Sequence, residues 1–271
     1  MAIKKVEKVS ITEFLRTEYK DFAYYVIESR ALPSLVDGFK PTQRKIVYVA
    51  DRNVRTTPNK VATLAGKIIS EAQYHHGNTS CESAIVNMAQ DFKNNMPLLN
   101  RIGQFGSLKS PVASASRYIS VTISDNFDLI YKDKDLLVNK FDEGVKIEPE
   151  YYLPIIPMVL VNGGSGIAVG YASNILNRDV KDITRKCINY IEGKRMQKLK
   201  LKITDFDGDF ITDKEKPNKW FIKGKLNKVN TSTVKITELP PSMTYEKFEN
   251  NLDKLLDEKK ITSYDNNGKD G

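Results

Sequence analysis

The sequence predicts an α+β protein in two parts, helical up to about residue 92 and strand-rich from about residue 155. Three observations carry that expectation. In the first part apolar residues recur every three or four positions in successive stretches, the spacing of one buried helix face. In the second, short β-branched and aromatic runs are punctuated by Pro154, Pro157, Pro217, Pro240 and Pro241. Between them lies a loop-rich stretch marked by Gly103, Gly106 and Pro111.

The first helix is expected over residues 10–29, because Ser10 with Glu13 reads as a capping box and Ile11, Phe14, Leu15, Phe22, Tyr25 and Val26 follow at helical spacing. Pro33 and Gly38 end it. Pro41 suits the first turn of a second helix running to about Asp51. A third, residues 60–72, turns Val61, Leu64, Ile68 and Ile69 inward; after a turn at His75-His76-Gly77-Asn78, a fourth, residues 79–92, buries Ala84, Ile85, Met88 and Phe92. Two such helices joined by a short glycine-bearing turn form a helix-turn-helix pattern, which often sets its second helix in a DNA major groove. The β-branched Ile119, Val121, Thr122 and Ile123 make residues 118–123 a strand, with Tyr118 at its start on the edge of the glycine-rich loop. Residues 200–203, 220–225 and 234–236 read as further strands. Residues 244–259 read as a capped helix with Tyr245, Phe248, Leu252, Leu255 and Leu256 inward.

Composition narrows the function. A 40% hydrophobic content over 271 residues is ample for packed cores, and no run of ~18 apolar residues suggests a membrane span. Two cysteines, Cys81 and Cys187, make no disulfide framework, so a reducing, cytoplasmic compartment is expected. The net charge of +8 favours a polyanionic partner, and its distribution sharpens the point. Between residues 30 and 60 stand Arg30, Lys40, Arg44, Lys45, Arg52, Arg55 and Lys60 against only Asp37 and Asp51; a second basic run, residues 194–202, contains no acid.

Several motifs stand in a fixed order along the chain. Ser29-Arg30-Ala31-Leu32-Pro33 precedes Asp37-Gly38-Phe39-Lys40-Pro41 and Gln43-Arg44-Lys45. Tyr74-His75-His76-Gly77, Met88-Ala89-Gln90, Gln104-Phe105-Gly106 and Ala115-Ser116-Arg117-Tyr118 follow, and then a glycine run, residues 162–170, leading to Asn174-Ile175. In this order and spacing they resemble the breakage-reunion subunit of the type IIA DNA topoisomerases, and the adjacent histidines with no proline between them are similar to the eukaryotic and tailed-phage form. The short, lysine- and asparagine-rich chain most resembles a phage medium subunit.

The resemblance implies an N-terminal helical arm at 1–29, where a partner subunit would dock. A winged-helix cleavage domain at 30–155 and an incomplete α/β tower at 156–271 would follow. It makes Tyr118 the nucleophile that attacks a backbone phosphorus. Arg117 would stabilise the phosphoryl oxygens, His76 would handle a proton or bond phosphate, and His75 and Arg30 would support them. Lys40, Arg44, Lys45, Thr79 and Ser80 would hold DNA, and Ile175 would enter the base stack as an apolar wedge. Ser83, where bacterial relatives carry an acid, puts ordinary fluoroquinolone anchoring in doubt. Mg²⁺ and ATP are expected on a separate ATPase/toprim partner and neither on this chain. The remaining partners are double-stranded DNA and, in the full-length enzyme, a second copy; no membrane contact is expected.

Other readings compete. Asp205-Phe206-Asp207-Gly208-Asp209 superficially resembles a cation loop but lacks the later ligands, and Gly163-Gly164-Ser165-Gly166 has no Gly-Lys-Ser/Thr after it. The chain as a whole could instead be an architectural helix-turn-helix DNA binder without chemistry, or a module whose basic face docks an acidic protein.

Overall fold

The computed structural model describes residues 10–267. Ser10 caps the first helix, its Oγ accepting from Glu13 N at 3.1 Å. The single helix expected over 10–29 is broken. α1 (Ile11–Arg16) stops at Thr17, whose hydroxyl donates to Glu13 O at 2.8 Å and whose backbone leaves the helical region. α2 (Glu18–Val26) then passes into a π-helical turn at Ile27–Ala31. The apolar face is largely open: Ile11 is 77% exposed, Phe14, Leu15, Phe22 and Tyr25 are also exposed, and only Val26 is buried.

The core forms around the next three helices. α3 (Pro41–Asn53) begins at Pro41, where the missing N–H costs nothing, and Lys40 N donates to Gln43 Oε1 at 2.9 Å just ahead of it. β1 (Asn59–Lys60) leads into α4 (Val61–Glu71), and α5 (Asn78–Ala89) follows the histidine turn. Val61, Leu64, Ile68, Ile85, Met88 and Phe92 are buried as expected, with Ile69 and Ala84 half-buried. β2 (Leu99–Ile102) and β3 (Ser120–Ile123) complete an antiparallel sheet of order β1-β3-β2, with Asn59 opposite Val121 and Leu99 opposite Ile123.

After α6 (Asp125–Ile130) come two ribbon segments, β4 (Phe141–Asp142) and β5 (Val145–Lys146), then the short α7 (Met158–Val161). Phe39, Phe127, Tyr131 and Tyr152 pack ring on ring, with centroids 5.2–5.9 Å apart. Burial pushes the Tyr131 and Tyr152 phenols up, so both stay neutral. Met158, Val161 and Ile183 join the same buried cluster as α3–α5.

A hairpin of β6 (Gly164–Ala168) and β7 (Tyr171–Ile175) precedes α8 (Val180–Ile191). The strand expected at 200–203 reduces to one bridge, Leu201 to Arg178. β8 (Asp209–Thr212) pairs with β9 (Trp220–Lys223), β10 (Lys225–Lys228) pairs with β11 (Val234–Glu238), and α9 (Tyr245–Asp257) ends the described chain. The face of α9 expected to be inward is half-buried at Tyr245, Phe248, Leu252 and Leu255 and open at Leu256.

Candidate active site and nucleic-acid interface

Tyr118 lies in a turn two residues before β3, 64% exposed. The turn is hung on the start of α4. That helix has no side-chain cap, and two of the N–H groups at its start are taken by carbonyls of the tyrosine loop, Val61 N to Ile119 O at 3.0 Å and Ala62 N to Ser116 O at 3.3 Å. Lys60 Nζ donates to Tyr118 O at 2.8 Å, and Tyr118 N donates to Ala115 O at 2.9 Å. The backbone of Tyr118 is therefore fixed from both sides while its ring stays open. The Arg117 guanidinium lies 4.6 Å from the centre of that ring and has no carboxylate partner among the described residues.

The two histidines point apart. His75 Nε2 stands 3.3 Å from Asp142 Oδ2, on the ribbon formed by β4 and β5. The His76 ring meets the buried Tyr74 edge-on, with centroids 5.3 Å apart. Both histidines, Thr79 and Ser80 are exposed along the same turn and the first turn of α5. No side chain caps α5; Ser80 N donates to Gly77 O at 3.0 Å, and the positive end of the helix dipole lies at this turn.

The basic cluster divides. Arg44 clasps the buried Asp37 through Nε at 2.7 Å and Nη2 at 3.1 Å. Lys45 donates to Ala72 O and, at 2.8 Å, to the buried Glu148. Both side chains, expected to hold phosphate, are thus committed to internal carboxylates that burial would otherwise leave uncompensated. Arg55 is shared between Asp51 and Asp128. Arg30, Lys40, Arg52 and Lys60 have no carboxylate partner among the described residues, so their charge is not cancelled locally; Lys40 donates to Ser165 O at 2.6 Å and is half-buried.

That last bond ties α3 to the β6–β7 hairpin, and the Arg30 turn closes on the same hairpin. Gly166 sits against Ala31: a Cβ there would come within 2.0 Å of Ala31 O, so only glycine permits the approach. Ile175, opposite Gly164 in the register, ends the hairpin and is half-buried. Arg30, Lys40 and Ile175, 145 residues apart at their extremes, are brought onto one packed unit.

Two contributors were not singled out by sequence reasoning. Lys60 sat within the basic cluster but nothing marked its bond to Tyr118, and Asp142 carried no signal because its partner is 67 residues away. The Asp205–Asp209 stretch is a turn around Phe206, which is buried against Phe210 at 5.6 Å. Among the described residues no three His, Cys, Asp or Glu side chains gather as a metal-binding group. Among the same residues no helix is long and apolar enough to cross a membrane.

Residues 30–271 match the family model for the A-subunit of DNA gyrase/topoisomerase IV. The chain is 37% identical to the DNA topoisomerase medium subunit of Enterobacteria phage T4 over 239 residues, covering 87% of this chain and 52% of that protein. It is 39% identical to human DNA topoisomerase 2-alpha over 217 residues, covering 78% of this chain and 14% of that one. The crystal structure of the DNA-binding, cleavage and re-ligation domain of Plasmodium falciparum topoisomerase II superposes with a TM-score of 0.86 at 36% identity, covering 97% of this chain and 37% of the other. The chain spans about half the length of the phage relative and a smaller share of the eukaryotic ones.

Proposed function

The chain belongs to the A-subunit family of DNA gyrase/topoisomerase IV, and on that premise we propose that it binds, cleaves and religates DNA within a type IIA topoisomerase, with Tyr118 as nucleophile. Tyr118 Oη forms a bond to a backbone phosphorus while the bond from phosphorus to the 3′ oxygen breaks. The phenolic proton leaves to a base and the departing oxygen takes up a proton, giving a 5′-phosphotyrosine and a 3′-hydroxyl. Because one ester is exchanged for another, religation runs in reverse without ATP.

Each neighbour has a task that follows from its position. Arg117, held beside the ring and without a carboxylate partner, offers charge to the phosphoryl oxygens as they gain it. His76, with both ring nitrogens free of hydrogen bonds among the described residues, is suited to a phosphate oxygen or a proton, while Asp142 orients His75 beside it. Arg30, Lys40, Lys60 and the open start of α5, with Thr79 and Ser80, present positive potential to the backbone. Arg44 and Lys45 support this face from within. Ile175 acts as the apolar wedge, its unstacking cost offset by the wider contact that bent DNA makes.

In this reading α4, α5 and the β1-β3-β2 sheet are the winged-helix unit, and the hairpins after residue 200 with α9 belong to a tower. An ATPase/toprim subunit supplies ATP-driven strand capture and holds Mg²⁺, which would offset negative charge at the scissile phosphate. A second copy cuts the opposite strand, and the setting is the cytoplasm of a host cell.

The observation that carries the proposal is the nucleophile turn itself: an exposed tyrosine with a fixed backbone and an arginine on its ring. An architectural DNA binder has no use for that arrangement. The test is plasmid cleavage by the complex with its ATPase/toprim partner, trapped by detergent and protease, for wild type and Tyr118→Phe. Linear DNA with protein on its 5′ ends is expected from wild type and none from the variant. A bound but uncleaved plasmid with wild type would return the chain to the architectural reading.

A further inference from the structure

Two motifs have no task in the chemistry above, Met88-Ala89-Gln90 at the end of α5 and Gln104-Phe105-Gly106 in the loop before Tyr118. They meet in space. Gln90, 1% exposed, donates from Nε2 to Phe105 O at 2.7 Å and to Pro111 O at 3.1 Å. One amide therefore closes both ends of the loop between Phe105 and Pro111.

From that clamp the chain is fixed step by step to the nucleophile. Gly106, with φ +82°, turns the loop, and Ser107 N donates to Ser110 O at 2.9 Å across it. Ser114 N then bonds Gln104 O at 3.0 Å, and the next bonds are those that hang residues 116–119 on α4. On its other side Gln90 closes α5, donating from its backbone to Val86 O, and its carbonyl accepts from Asn94 Nδ2 at 2.8 Å. An open cleft lined by Ser83, Asn87, Lys93, Ser114 and Ser116 separates the outer faces of α5 and the tyrosine loop. Gln90 and Pro111 border the same cleft, so the amide bridges it where the two elements meet.

Among the described residues, Gln90 Oε1 is buried with no hydrogen-bond partner. An amide that gives both its donors to one loop and leaves its acceptor unpaired is better explained by what it holds than by its own satisfaction. We propose that Gln90 is a positioning residue: it locks the loop that carries Tyr118 to the helix that carries Thr79 and Ser80, so that DNA seated on α5 meets the phenol at attacking distance. This rests on Tyr118 being the nucleophile. It adds that one side-chain amide ties the DNA-binding helix directly to the nucleophile's loop, alongside the bonds that hang that loop on α4.

The test compares wild type, Gln90→Leu and Gln90→Glu in the complex with the ATPase/toprim partner. Leucine removes both donors with little change in volume, and glutamate keeps the shape while presenting oxygens to two carbonyls. Covalent-complex formation in single turnover is expected to fall at least about tenfold in both variants, the scale of loss that misplacing a reacting group produces. DNA affinity should stay within about twofold, and the variant chains should melt as cooperatively as wild type. Cleavage that is unchanged, or that falls only in step with affinity and melting temperature, overturns the positioning role. Should the leucine variant not fold, the glutamate variant decides by the same criteria. A wild-type complex that forms no Tyr118 adduct overturns both this inference and the function it rests on, whereas wild-type cleavage matched by both variants overturns this inference alone.

Discussion

At the scale of single residues, Asp37 shows how a side chain far from the chemistry shapes the site. Fully buried, it accepts from Phe39 N at 3.0 Å and Tyr152 N at 3.1 Å besides holding Arg44, while its own carbonyl accepts from Tyr131 OH at 2.9 Å. Removing it strands a guanidinium and two buried N–H groups at once. Asp37→Ala is expected to cost about 3–5 kcal/mol in denaturant unfolding, the range for breaking a buried pair from one side. Arg55→Ala, in the part-exposed network with Asp51 and Asp128, is expected to cost under about 1 kcal/mol in the same measurement. Similar losses for the two would show that Asp37 is not the hub. None of this was legible in the sequence, where Arg44 counted as one more base beside Lys45. Their acidic partners lie 7 and 103 residues away, and only folding reveals which charges are cancelled.

At the scale of elements, α3, α4 and α5 were legible because each buries its periodic face against the others, so local pattern and tertiary packing agree. The N-terminal helix had as clear a pattern but no core to meet it. Thr17 breaks it and the apolar face of α1 and α2 remains largely open; we propose that a partner subunit covers it. Phe14→Ser with Phe22→Ser should leave the melting temperature of the isolated chain within a few degrees while weakening assembly with the ATPase/toprim subunit at least tenfold by sedimentation. Unchanged assembly would assign that face elsewhere. The strand expected at residues 200–203 failed for the same reason: its residues alternate like a strand, but they find only an isolated bridge from Leu201 to Arg178 and no ladder. The place of the tyrosine turn was legible from the β-branched strand that follows it, which begins two residues later than expected, while the role of Tyr118 came only from the motif around Arg117.

At the scale of the whole molecule, the formal charge of +8 describes the protein less well than the way it is divided. Acids at Asp37, Glu148 and Asp128 absorb part of the basic cluster into the fold. Arg30, Lys40, Lys60 and Arg117, with no carboxylate beside them among the described residues, lie on the tyrosine turn and the elements that join it to the β6–β7 hairpin. The core of α3–α5 and the sheet thus serves as a frame that presents the exposed Tyr118 phenol with Arg117 against its ring and Lys60 on its carbonyl. The measurement that tests this most directly is the identity of the residue bonded to DNA. Covalent complex from the assembled enzyme, trimmed with nuclease and digested with protease, should yield one nucleotide-bearing peptide, with the added mass on Tyr118. Attachment at any other of the chain's thirteen tyrosines, or at no residue of this chain while the DNA is cut, would contradict it.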